Sequence, residues 1–332
     1  MRYLVVAVIA LVIACVPFAL KTKAYETIMQ SSDLAIHSEF VDAVTNGHSM
    51  PRAIYSAQPV FGSVLGLVNR LLHIEPKYLF LGFMVAVMMA SAVATYWMAE
   101  AVTNQAWFVV TVGLLVCTST LALYSYGVIY NILNTGVILP LVIGSLQRAK
   151  KRPFLVLSVV LSLLFFALHP TGLYLLGALL VFGIVWALKR KKAVVFVPCI
   201  ALVVVGTFAT WDTMTMVFSN LTHGVSAEHK WSWPLISQFV TSNAWVGVLV
   251  VAVIPLLRHL KWTVTTASLA IFCIVLGVGV LVNASTFPER LFLDLGTMLA
   301  LLSAIVISEY DVILKYMVTS FGTASTLAMW VK

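Results

Sequence analysis

Residues 127–146, GVIYNILNTGVILPLVIGSL, carry no charge over twenty positions and are followed, after Gln147, by Arg148, Lys150, Lys151 and Arg152. At about 1.5 Å of rise per residue, such a run makes a helix roughly 30 Å long, the thickness of the hydrocarbon core of a bilayer. Comparable apolar runs recur at residues 3–20, 78–99, 106–123, 153–168, 171–188, 193–211, 239–257, 263–283 and 288–308, the last with Glu289, Arg290 and Asp294 near its start. The expected fold is therefore all-α, a polytopic transmembrane helical bundle of about ten spans. The tail 312–331 is apolar but holds Lys315 and many small polar residues, so it reads either as an interfacial helix or as an eleventh span.

Composition agrees with this reading. A hydrophobic share of 61%, a charged share of 10% and a mean hydropathy of +1.03 leave too few polar residues to clothe a soluble core. Cys15, Cys117, Cys199 and Cys273 each fall in a separate apolar run and read as packing residues, not as a disulfide framework. No repeat and no low-complexity linker divides the chain, so residues 1–332 form one expected transmembrane domain.

The net charge of +8 would suit nucleic acid, but the excess sits in three short clusters with no aromatic-interleaved groove beside them. They are Arg148 to Arg152, Lys189 to Lys192, and Arg258 with Lys261 beside His259, and none contains an acidic residue. The positive-inside rule places all three, with Arg2, on the cytoplasmic side of a plasma membrane, and counting spans from a cytoplasmic N-terminus puts them there without adjustment. No small-x-small cleavage site precedes Lys21, so residues 3–20 read as a retained anchor.

Two hydrophilic stretches then lie outside, a first external loop at 21–77 and a second at 212–238. In the first, Ser31 or Ser32 can cap an amphipathic helix that Gly47 ends. Asp33 and His37 are four apart and share a face, while Leu34, Val41 and Val44 read as a separate apolar stripe. Such a pair can serve as a general base or remain a solvated, hydrogen-bonded face, and Glu39 and Asp42 read as surface charges. A divalent metal held by Asp33, His37 and Glu39 or His48 is conceivable, although no ligand spacing such as His-Glu-x-x-His occurs.

Three further places carry chemistry-bearing residues. His169-Pro170-Thr171-Gly172 breaks two apolar runs at the outer face, where it serves as a turn or as an interfacial polar site. Arg290 opens the last confident span with Asp294 one turn deeper; the two read as an i, i+4 ion pair or as a guanidinium free to grip a phosphate. Glu228, His229 and Trp231 in the second loop, with His223, Lys230 and Trp233, suit lipid headgroups as well as sugar stacking.

The run Asp33-Leu-Ala-Ile-His37, followed by Gly47-His-Ser-Met-Pro51 and Tyr55-Ser-Ala-Gln-Pro59, resembles the first external loop of GT-C-type membrane glycosyltransferases, which transfer sugars from polyprenyl-phosphate carriers. The resemblance extends to His169-Pro170 and to Phe287-Pro-Glu-Arg290. It implies a GT-C-like bundle with Asp33 as catalytic carboxylate, His37 supporting it, His169 and Arg290 on the donor phosphate, and Glu228, His229 and Trp231 on the substrate. Its implied partners are a polyprenyl-phosphate-linked sugar, membrane lipids and an acceptor glycan, lipid or protein, with no organic cofactor and with a divalent metal left open. Two departures mark a short or divergent member: Leu34 follows Asp33 where many members have a second acidic residue nearby, and no large soluble C-terminal domain is expected. Two rivals differ in kind. A transporter of lipid-linked glycans would use midplane polar residues, for which Asn131 and Asn134 between Gly127 and Gly136 are the candidates. A non-catalytic assembly subunit would use the outer loops for docking.

Overall fold

The computed structural model describes residues 1–19, 32–53, 57–124, 129–168, 172, 177–178, 204–208, 211, 215, 219, 237, 244–254, 256, 260–281, 288–309 and 312–331. Among these the chain is helical and contains no strand. The helices are α1 (Arg2–Ala19), α2 (Ser32–Asn46), α3 (Ala57–Leu72), α4 (Pro76–Ala99) and α5 (Ala106–Tyr124), then a three-part helix of one α turn (Ile129–Asn131), a π segment (Ile132–Ile138) and α6 (Leu139–Gln147). Then come α7 (Arg152–Leu168), α8 (Ala244–Val253), α9 (Val264–Leu281), α10 (Pro288–Ser308) and α11 (Val312–Val331).

Among the described residues one helix, Pro76–Ala99, is both long and apolar enough to cross a membrane; Arg2–Val16, Ala106–Cys117, Ile132–Gln147, Arg152–Leu168, Val264–Val280 and Asp294–Ser308 are shorter apolar helical stretches. The all-helical expectation thus holds for the described residues.

Helix boundaries follow local chemistry. Pro76 at the start of α4 fits where an N–H would have no intrahelical partner. Gly47 ends α2 with a φ of 73°, and the His48 N–H reaches the Ala43 carbonyl at 2.8 Å, closing a Schellman motif. The π segment ends two residues before Pro140. A proline there lacks the N–H that would bond the Gly136 carbonyl, and its ring crowds that carbonyl, so the ladder widens upstream.

α4 is the hub, packed by α1, α2, α3, α5, the π segment and α6; α10 gathers α5, α8, α9 and α11. Side chains show which ends meet. The Tyr3 hydroxyl donates to Glu100, and Arg148 donates to the Trp97 carbonyl at 2.8 Å and the Gly144 carbonyl at 3.0 Å while lying 4.2 Å over the Trp97 ring and 3.3 Å from Glu100. Thr103 meets Ser308 at 2.8 Å, Lys261 pairs with Glu309 at 2.8 Å, and Gln147 accepts the Thr265 N–H at 3.2 Å. The N-terminal ends of α1, α5 and α9 therefore share one end of the bundle with the C-terminal ends of α4, α6 and α10.

The other end holds α2 and α3, and here the sequence reading needs two corrections. The first loop contains a second helix, α3, that apolar patterning does not single out because its packed face is polar and small: Gln58, Gly62, Gly66 and Asn69 are buried while Val60, Val64, Leu67 and Leu71 are exposed. A Cβ on Gly62 would stand 2.5 Å from the Phe40 Cβ, and one on Gly66 2.5 Å from the Val44 Cβ, so the glycines at i, i+4 let α2 and α3 touch along their backbones. The second correction concerns His37. It lies three residues after Leu34 and four before Val41, which is the same face, and the three are buried together.

Candidate functional site

Asp33 lies in the first turn of α2, and His37 one turn later is 3% exposed. The imidazole stacks on Phe80 of α4 with centroids 5.1 Å apart and meets Tyr130 edge-on at 5.1 Å. Phe61 and Phe83 close the same aromatic layer, 4.9 Å from each other. Gln58 of α3, 1% exposed, places its Nε2 at 3.4 Å from His37 Nδ1. In this amide orientation Gln58 donates and Nδ1 accepts, which puts the ring proton on Nε2 in the neutral tautomer. His37 thus joins three elements and is not displayed to solvent beside Asp33.

Arg70 and Asn69 complete the attachment of α2. Arg70 donates to the carbonyls of Val44 and, at 3.3 Å, Thr45, satisfying groups that the end of α2 leaves open, and Asn69 donates to the Thr45 hydroxyl at 3.2 Å. On the opposite face of α2, Glu39 is exposed, and Asp42 accepts from Asn46 at 2.7 Å and faces His48 at 3.8 Å. The surface reading of Glu39 and Asp42 holds. A metal set combining His37 with Glu39 or His48 is not assembled, since His37 points into the bundle and the others away from it; among the described residues no three His, Cys, Asp or Glu side chains stand close enough to share an ion.

Below Tyr130 the π segment carries a buried polar seam. Asn134 donates to the Phe165 carbonyl at 3.2 Å, and the Thr135 hydroxyl donates to Asp294 Oδ1 at 3.0 Å. Asp294 is 3% exposed and lies six residues past Pro288, roughly 9 Å along α10. Arg290 stands one turn closer to the end of that helix. His169, Glu228, His229 and Trp231 lie outside the described residues. The sequence missed Gln58, Phe80 and Tyr130 as the setting of His37; the glycine pair Gly62 and Gly66 was the available signal that α3 packs tightly on something.

No family model matches the sequence, and no curated protein matches it.

Proposed function

We propose that the chain is a multi-pass membrane glycosyltransferase of the GT-C type, moving a sugar from a polyprenyl-phosphate carrier to an acceptor on the extracytoplasmic face of the plasma membrane. The observation that supports it most is the docking of α2. The helix bearing Asp33 is seated through His37 on α4 and Tyr130, at the end of the bundle opposite the Arg148, Glu100, Lys261 and Glu309 cluster. With the basic end cytoplasmic, Asp33 stands on the outer face, where a flipped lipid-linked sugar is available. A bilayer placement is supported by outward-facing Val8, Val12, Val156, Val160, Val248 and Ile274, set against buried Ser91, Thr95, Ser158 and Ser162. The exposed stripe of α3, with Val64 at 52% and Leu71 at 81%, suits the hydrocarbon boundary.

In this mechanism Asp33 takes the proton of the acceptor hydroxyl as its oxygen attacks the anomeric carbon. The bond from that carbon to the phosphate oxygen breaks, and polyprenyl phosphate leaves with the electron pair as a stable anion, so no second acid is required. Arg290, at the opening of α10, and His169 hold that phosphate and offset its growing charge. His37 is a positioning residue that fixes the turn carrying Asp33. The test is transfer from synthetic polyprenyl-phosphate sugars by purified protein. Asp33→Asn is expected to lower turnover by about 10²–10⁴ with unchanged melting temperature, and full activity in that variant removes Asp33 from the mechanism.

A second reading, transport of a lipid-linked glycan, draws on the π segment beside buried Asp294, since broken helices and intramembrane carboxylates are common in transport pathways. Flux across proteoliposomes without sugar transfer would favour it.

A further inference from the structure

The connection between α6 and α7 is short and closed on itself. The Arg148 N–H reaches the Ser145 carbonyl at 3.0 Å, the Lys151 N–H the Arg148 carbonyl at 3.1 Å, and the Phe154 N–H the Lys151 carbonyl at 3.1 Å, so Lys150, Lys151 and Arg152 are presented from a defined turn. All three side chains are exposed, and consecutive Cα atoms lie about 3.8 Å apart, which puts three positive charges on one small patch. Like charges so close repel one another, and an anion between them relieves that repulsion. Among the described residues the two acids at this end are already engaged: Glu100 accepts from Tyr3 and Arg148, and Glu309 pairs with Lys261. The patch also lies at the level of an interface. Arg148 stacks 4.2 Å over Trp97, Trp97 meets Phe154 at 6.2 Å, and Tyr96 lies edge-on to Trp107 at 5.3 Å, an aromatic layer of the kind that collects where hydrocarbon meets water. Along α7 from Arg152, at steps of four residues, Val156, Val160 and Leu164 face outward, while Ser158 and Ser162 are buried. A cationic patch at the head of an outward apolar stripe matches the order of a phospholipid, head and then tail.

We propose that the α6–α7 turn and the outward face of α7 bind an anionic phospholipid, with Lys150, Lys151 and Arg152 on its phosphate and Val156, Val160 and Leu164 along its acyl chains. The charge selects the headgroup: a zwitterionic lipid brings its own cation to a patch that already holds three, whereas a net negative one removes charge from it. The Arg152 guanidinium can fork onto two phosphate oxygens, and the lysines act as point charges beside it. The apolar stripe selects a lipid over a free phosphate. This surface lies at the end of the bundle opposite α2, so the transfer chemistry assigned to Asp33 does not enter the argument.

The experiment uses the full chain, purified in detergent and titrated with phosphatidylglycerol or with phosphatidylcholine of the same acyl chains, read by native mass spectrometry for retained lipid and by thermal unfolding. Wild type is expected to retain phosphatidylglycerol in preference to phosphatidylcholine and to melt at a higher temperature with it, an effect that shrinks as NaCl rises. A cation beside an anionic headgroup contributes about fivefold to binding, so Lys150→Gln, Lys151→Gln and Arg152→Gln together are expected to lower the affinity for phosphatidylglycerol by about 10². The melt of that variant in phosphatidylcholine should match wild type, because the three side chains are exposed. Lys150→Arg with Lys151→Arg keeps the charges and is expected to keep the binding. Removing the same three charges at Lys189, Arg190 and Lys191 is expected to leave the affinity near that of wild type. Equal retention of the two lipids by wild type would overturn the proposal. So would equal losses in the two triple glutamine variants, which would show that net charge alone draws the lipid.

Discussion

Replacing Gly66 with alanine tests the contact that seats the Asp33 helix. In an ordinary exposed helix this change stabilises by about 1 kcal/mol, because alanine is the better helix former. Here the new methyl carbon would stand 2.5 Å from Val44 Cβ, 2.8 Å from Val44 Cγ1 and 2.9 Å from the Val41 carbonyl oxygen. Carbon atoms in contact keep about 3.5–4.0 Å, so α2 and α3 must part by roughly 1 Å. Overpacking of this size typically costs about 1–3 kcal/mol. The separation also stretches the bonds from Asn69 to Thr45 and from Arg70 to the carbonyls that end α2. The propensity gain offsets only part of this, and a net destabilisation of about 1–2 kcal/mol follows. The assay is thermal unfolding with proteolysis of the connection at 47–53. The swap Val44→Gly with Gly66→Ala moves the Cβ to the other helix and should recover most of the loss. A Gly66→Ala protein that melts above wild type would show that propensity acts alone and that the helices are not in backbone contact.

Three other outcomes follow from contacts already described. Arg148→Ala removes two carbonyl hydrogen bonds and a guanidinium stacked on Trp97, and should destabilise by about 1–3 kcal/mol in detergent melts; Arg148→Lys should recover less than half, because a lysine cannot stack and fork together. His37→Phe keeps an aromatic ring between Phe80 and Tyr130 but removes the buried acceptor of the Gln58 amide, so it should cost about 1–3 kcal/mol by thermal melts. In a background with Cys15, Cys117, Cys199 and Cys273 replaced, a cysteine at Asp42 should react with an impermeant maleimide on intact cells, and one at Lys150 only after permeabilisation; labelling in the reverse order would overturn the proposed orientation.

The helix ends were legible because the residues that set them act locally. Pro76 and Pro288 start helices, Gly47 supplies a positive φ, and the cluster at Arg148 marks where an apolar run meets water. α3 was not legible because its pattern runs opposite to the usual one: its apolar stripe faces outward, and its glycines and amides do the packing. The same reversal hid His37, whose spacing to Leu34 and Val41 placed it on the packed face while its chemistry suggested an exposed one. The π segment depends on a tertiary fit, Ser91 against Gly136, added to the local effect of Pro140, and only the second part is written in the sequence around it.

The interior hydroxyls divide into two kinds, and the division bears on how the protein can move. Ser162, Thr111 and Thr326 bond back to carbonyls four residues earlier on their own helices, which satisfies them without joining anything. Thr103 with Ser308 and Thr135 with Asp294 cross between helices, as does the amide of Asn134 with the Phe165 carbonyl, and each of these bonds is lost if its helices separate. These cross-bonds pin α5 to α10 at the basic end, and the π segment to α7 and α10 below the aromatic layer. The α2 and α3 pair is held differently, tightly to each other through glycine contacts, carbonyl bonds and the Gln58–His37 contact, while the His37 and Phe61 rings pack it against α4 and Tyr130. Aromatic faces slide at far lower cost than crossed hydrogen bonds break. If Asp33 acts as proposed, its opening to a substrate is expected to come from motion of α2 and α3 as one unit, which breaks none of these cross-bonds.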